Sequence, residues 1–137
     1  MKSRGFTLAE IIVVMLIIAV LVTVAIPKFN IIMESMRAKE GTQFLYNILT
    51  AEKRYAINHD DGDSTPDYTN DITKLDISID LTPSNFYSLN LSATNPLANI
   101  TRKDNSYTLF IADTGVISCN CGGIACTTCQ KIGYPNQ

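Results

Sequence analysis

The chain has no tryptophan, one histidine, and only seven glycines and five prolines in 137 residues. With His59 alone, no Ser/His/Asp or Cys/His set can be assembled, so the sequence reads as a non-enzyme. Charge is also sparse, at 18% of residues and a net −2. Without Lys2 and Arg4, nine basic side chains face thirteen acidic ones, a balance of −4. A nucleic-acid interface needs a basic face, and none is indicated, so no direct nucleic-acid partner is expected. No Cys-x-x-Cys-His occurs, which excludes c-type haem attachment, and no cofactor is expected.

What the chain does have is one long apolar run. Phe6 to Ile26 is interrupted only by Thr7, Glu10 and Thr23, and Pro27 follows. As a helix these residues would extend about 32 Å, close to a hydrocarbon core of roughly 30 Å. Lys2 and Arg4 precede the run, so the positive-inside rule keeps Met1 cytoplasmic and sends the rest across in a single pass. A carboxylate within such a segment costs about 2.5–3.5 kcal/mol on insertion scales. Glu10 therefore needs a cationic partner. A cleaved secretory signal fits less well, because the apolar run is long, Glu10 lies within it and helical periodicity continues past Pro27.

Arg4-Gly5-Phe6-Thr7-Leu8-Ala9-Glu10, the apolar run and Ala25-Ile26-Pro27 together resemble the class III leader and N-terminal helix of type IV pilins and pseudopilins. The resemblance implies cleavage by a prepilin peptidase between Gly5 and Phe6, and N-methylation of Phe6. It also implies assembly through Phe6, Glu10 and Pro27, with Glu10 meeting the Phe6 amine of a neighbouring subunit. Pairing with its own Phe6 amine, or snorkelling, are the alternatives for Glu10. Many pilins have a glycine eight residues before this proline, where this chain has Ala19. Any unwound stretch ahead of Pro27 is therefore expected to be short.

Past Pro27 the pattern becomes amphipathic. Phe29, Ile32, Met33, Met36, Phe44, Leu45, Ile48 and Tyr55 recur at helical steps, with Glu34, Arg37, Lys39, Glu40 and Glu52 between them. One helix with one buried face is predicted, ending near Asn58, with Gly41 as a candidate bend. Such a rod is too long for a small domain to bury, so its first half must lie in a membrane or among its siblings. The acidic run His59–Asp67 reads as a solvated loop whose carboxylate spacing does not fit an EF-hand.

Beyond it, Phe86–Leu91, Ser106–Ala112 and Gly115–Cys119 read as strands, the last two joined at Asp113-Thr114-Gly115. Lys74–Leu81 is a further strand or a packed loop. The expected fold is α+β: a long N-terminal helix packed on a three- to four-stranded antiparallel sheet, the layout of a pilin head. Residues 1–5 form a leader, 6–27 a transmembrane and assembly helix, 28–58 its amphipathic half, and 59–137 a head with a cysteine-rich C-terminal loop.

Cys119, Cys121, Cys126 and Cys129 are all the cysteines the chain has. A zinc knuckle would suit Cys126-x-x-Cys129, but Cys119-x-Cys121 is an unusual ligand spacing. Outside the cytoplasm, disulfides are the simpler reading, with Cys119 or Cys121 bonded to Cys126 or Cys129 and no metal. Asn90-Leu91-Ser92 and Asn99-Ile100-Thr101 match the N-glycosylation pattern, which in a bacterial-type chain arises easily by chance.

The resemblance implies a structural pilus subunit, an inner-membrane precursor that becomes part of an extracellular homo-oligomeric filament. Its partners would be the inner membrane, the prepilin peptidase, an assembly platform and minor pilins, and the filament would serve adhesion, motility or DNA uptake. A minor pilin or a type II secretion pseudopilin is the close alternative, and a tip-located binding module a more distant one. The cysteine cluster and the weak calcium-loop candidate favour a pilus.

Overall fold

The computed structural model describes residues 5–59, 61–62, 65–77, 86–122 and 127–134. A single helix, α1, runs from Leu8 to Asn58. At 1.5 Å per residue its 51 residues extend about 76 Å. Pro27 sits inside it without ending it. Proline removes the hydrogen bond that residue 27 would donate to the carbonyl of Thr23. The Thr23 hydroxyl, one turn earlier, donates to the Val20 carbonyl at 2.7 Å.

A 3-10 turn, Ile72–Lys74, leads to four strands: β1 Tyr87–Leu91, β2 Ala98–Arg102, β3 Thr108–Ile111 and β4 Ile117–Asn120. They form an antiparallel meander in the order β1-β2-β3-β4. A short helix, α2, follows at Thr128–Lys131. The arrangement is the expected α+β pilin fold, with a four-stranded sheet. The Asp113–Gly115 turn joins β3 to β4, and Gly115 adopts φ +84°, a conformation that suits glycine. Strand β2 was not anticipated from the sequence. Residues 74–77 form no strand, and the rest of the Lys74–Leu81 candidate lies outside the described residues.

Alternation sorts the sheet into two faces. Ile100, Leu109, Ile111 and Cys119 point to the helix and are buried. The opposite face carries two cross-strand rows. Ser88, Thr101, Thr108 and Asn120 form one; Asn90, Asn99, Phe110 and Ser118 form the other.

The buried stripe of α1 differs from the expected one. It comprises Ala38, Gly41, Leu45, Ile48, Leu49, Ala51, Glu52 and Ala56, which share one side of the helix. Phe29, Ile32 and Met36 are exposed. The sheet reaches the helix through polar contacts at Glu34 and packs on it closely from Ala38 onward, where small side chains let it approach. Gly41 is such a contact: a Cβ there would run into Ile100 Cδ1 and touch the Tyr87 ring. Its role is close packing under the sheet.

Glu52 also departs from expectation. Placed by pattern on the polar face, it is fully buried. Its Oε2 accepts from the Thr69 backbone N–H at 3.0 Å, and among the described residues its Oε1 has no hydrogen-bond partner. Burial pushes its carboxyl up from the usual glutamate range, and the Thr69 bond offsets only part of this.

Candidate assembly site

Gly5 and Phe6 precede the helix and are exposed. Thr7 is the N-cap. Its backbone N–H and its hydroxyl both donate to Glu10 Oε2 at 2.8 Å, and the Glu10 N–H donates to Thr7 Oγ1 at 3.3 Å. This is a reciprocal capping box, which satisfies helix N–H groups that have no partner within the helix. The signal was present in the sequence as Thr7-x-x-Glu10, the threonine-to-glutamate spacing of such a box. Both Thr7 bonds fall on one oxygen. A carboxylate has about four acceptor positions, so the box leaves Glu10 capacity for a cation.

From Gly5 to Ile32 every residue of the isolated chain is exposed. Phe6 is 81% exposed and Leu21 64%, levels that apolar side chains rarely keep in water. The segment is long and apolar enough to cross a membrane. Glu10 is the only charged side chain between Gly5 and Pro27.

The comparisons with known proteins bear on this segment. The family model described as the prokaryotic N-terminal methylation motif matches residues 1–26. The motif is the one found where the class III leader of type IV pilins and pseudopilins joins their N-terminal helix, and residues 1–26 are similar to it. The match covers Gly5, Phe6 and Glu10 and stops one residue short of Pro27. It supports a type IV pilin or pseudopilin family member, and with the apolar helix it fits an inner-membrane precursor. Such proteins are structural and not typically enzymes. No curated protein and no solved structure matches the chain.

A second cluster ties the rod to the head. Arg102, at the end of β2, donates from Nε to Glu34 Oε1 at 2.8 Å and from Nη2 to Oε2 at 3.2 Å. Arg37 donates to Oε2 at 3.1 Å. The Tyr107 hydroxyl donates to Oε1 at 3.0 Å. Its single proton is thereby used, so in the 2.6 Å contact with Tyr87 it is Tyr87 that donates. Arg37 and Arg102 also lie over the Phe86 ring, at 4.5 and 5.2 Å from its centre. Desolvation raises the Glu34 carboxyl, but the bonds from Arg102, Tyr107 and Arg37 outweigh it and hold the group below the usual range. Burial, with the neighbouring Tyr87 and Glu34, pushes the Tyr107 hydroxyl far up, so it stays a neutral donor. Sequence reasoning missed this cluster, because its members lie far apart in the chain.

Cys119 and Cys129 are joined by a disulfide with Cα atoms 5.8 Å apart. Both are fully buried. Cys121 is disulfide-bonded as well, and Cys126 lies outside the described residues. The C-terminal segment then returns to the helix, where the Tyr134 hydroxyl meets that of Thr42. Of the acidic loop, His59 caps the helix end and stacks on Tyr55 with ring centres 4.0 Å apart. Among the described residues no group of His, Cys, Asp or Glu could hold a metal ion.

Proposed function

We propose that this chain is a structural subunit of a type IV pilus, cut between Gly5 and Phe6, methylated on Phe6 and polymerised through its N-terminal helix. The observation that carries the reading is an apolar half-helix, exposed on every side, with one carboxylate fixed at its first turn inside the methylation motif. Exposed apolar surface of that extent must be covered by lipid before assembly and by sibling helices after it. Cleavage at Gly5 creates a positive amine on Phe6. In a dry helix bundle, Glu10 of one subunit compensates the amine of the next, fixing axial register. Residues 6–27 serve as membrane anchor and filament core, 28–58 carry the head, and 59–137 face outward. The prepilin peptidase, an assembly platform and minor pilins are the partners this route requires, and adhesion, motility or DNA uptake would belong to the finished filament.

The test is electron microscopy of sheared surface filaments, with mass spectrometry of their main subunit. Abundant filaments built of this chain and beginning at N-methylated Phe6 are expected. Trace incorporation would replace the major-pilin reading with a minor pilin, and short periplasmic assemblies alone would replace it with a pseudopilin.

A further inference from the structure

The helix-distal face of the sheet carries eight side chains in its two cross-strand rows, and none is charged. With 18% of the chain charged, eight uncharged positions are ordinary in number, and what distinguishes this face is which uncharged groups it carries. Three of the eight are amides, Asn90, Asn99 and Asn120, and four are hydroxyls. Amides and hydroxyls each donate and accept, as sugar hydroxyls do. The eighth is Phe110, half-buried and flanked by Asn99 and Ser118. Beside it opens a groove of about 340 Å³, lined by Asn95, Pro96, Phe110, Ala112, Val116 and Ser118. Val116 is 62% exposed at its rim. The groove is within the size range of small-molecule sites. Among the described residues, the charges of the neighbouring strands and turns lie off the rows. Arg102 points to Glu34 on the other face, Lys103 and Asp104 sit on the β2–β3 turn, and Asp113 sits on the β3–β4 turn.

We propose that this face, with the groove beside Phe110, binds an uncharged polysaccharide. An aromatic ring offers a flat platform for the C–H face of a pyranose. The amides of Asn90, Asn99 and Asn120 meet its equatorial hydroxyls. The hydroxyls of Thr101 and Thr108 bond each other, that of Ser88 donates to the Thr101 carbonyl, and Ser118 is buried. The hydroxyls therefore supply mainly their remaining acceptor positions. Outward side chains recur about 6.6 Å apart along a strand and about 4.8 Å across strands, so successive sugars find repeating donors and acceptors. Lack of charge selects against anionic glycans, which would gain nothing here to offset their desolvation. The inference rests on the pilus reading only for the export of the head. Its failure is separable, because binding is read on solubilised protein and assembly on filaments.

The experiment applies full-length protein, in a detergent without a sugar headgroup, to immobilised cellulose, chitin and mannan and to anionic alginate and heparin. Retention on at least one uncharged polymer is expected, with weak or no retention on the anionic ones. Phe110→Ala should weaken retention at least tenfold, and Phe110→Tyr should preserve it. Thr108→Glu, at a half-exposed position, places a charge in the row and should also weaken it; this variant decides the matter if Phe110→Ala does not fold. Retention on none of the uncharged polymers, equal retention on the anionic ones, or unchanged binding by the variants overturns the proposal. So does a glycan on Asn90 or Asn99 in exported protein, because it would cover the face.

Discussion

Glu34 and Arg102 lie 68 residues apart and share two hydrogen bonds, at 2.8 and 3.2 Å, that join the long helix to the sheet. Forked guanidinium–carboxylate pairing fixes orientation as well as distance. Arg102→Ala is expected to cost about 2 kcal/mol, the scale of a hydrogen bond to a charged group that loses its partner. Arg102→Lys should recover little, because an ammonium cannot reproduce the fork. Thermal unfolding of the two variants in detergent checks both.

The same carboxylate sets an acid limit. The folded protein holds Glu34 below its usual value of 4.5, so the cluster's contribution is full above that pH and is lost as pH falls through the depressed folded value. Glu34→Gln should flatten this part of the stability profile. A profile that keeps its acid slope would remove Glu34 from the account.

Glu52 behaves oppositely. Its folded value lies above 4.5, so its contribution is present below that pH and is lost as pH rises through the raised value. Glu52→Gln keeps an acceptor for Thr69 and removes the burden of ionisation. It should be more stable than the parent near neutrality, with an advantage that shrinks in acid. Denaturant midpoints at two pH values test this.

Legibility in the sequence divides along physical lines. The rod was readable, including its end near Asn58, because helical periodicity is local. Three strands were readable from β-branched and aromatic runs. Strand β2 was passed over, although Ala98 and Ile100 alternate with Asn99 and Thr101, because a short polar-rich run carries little propensity. Pro27 marks a place where a helix can loosen, and α1 continues through it with one donor missing. Glu52 could not be read as buried. Its burial follows from Thr69 folding back over the helix, a contact that no window of local sequence contains. The Glu34 cluster is hidden for the same reason.

At the N-terminus, Glu10→Ala or Glu10→Leu should leave the chain in the membrane and sharply reduce filament yield. Thr7→Ala removes half of the capping box, at about 1 kcal/mol, and should reduce yield less. Normal yield from both Glu10 variants, measured from sheared filaments, would end the pairing proposal.

Gly41→Ala pits helix propensity against space. The gain of about 1 kcal/mol should be exceeded by the collision with Ile100, for a net loss of about 1–2 kcal/mol. Gly41→Ala combined with Ile100→Val removes the colliding methyl and should be milder than the sum of its parts. Unfolding midpoints of the two single variants and the double variant measure the coupling.

The Cys119–Cys129 bond has a mechanical consequence. Its ends are ten positions apart in sequence, a length that would stretch to roughly 35 Å if pulled straight. The crosslink holds those ends 5.8 Å apart. A load on the C-terminal segment therefore meets almost no slack before it reaches β4. The Tyr134 contact with Thr42 offers a parallel path into the rod. Under tension the tip of this head behaves as a stiff strut, and its extensibility becomes a property of its oxidation state.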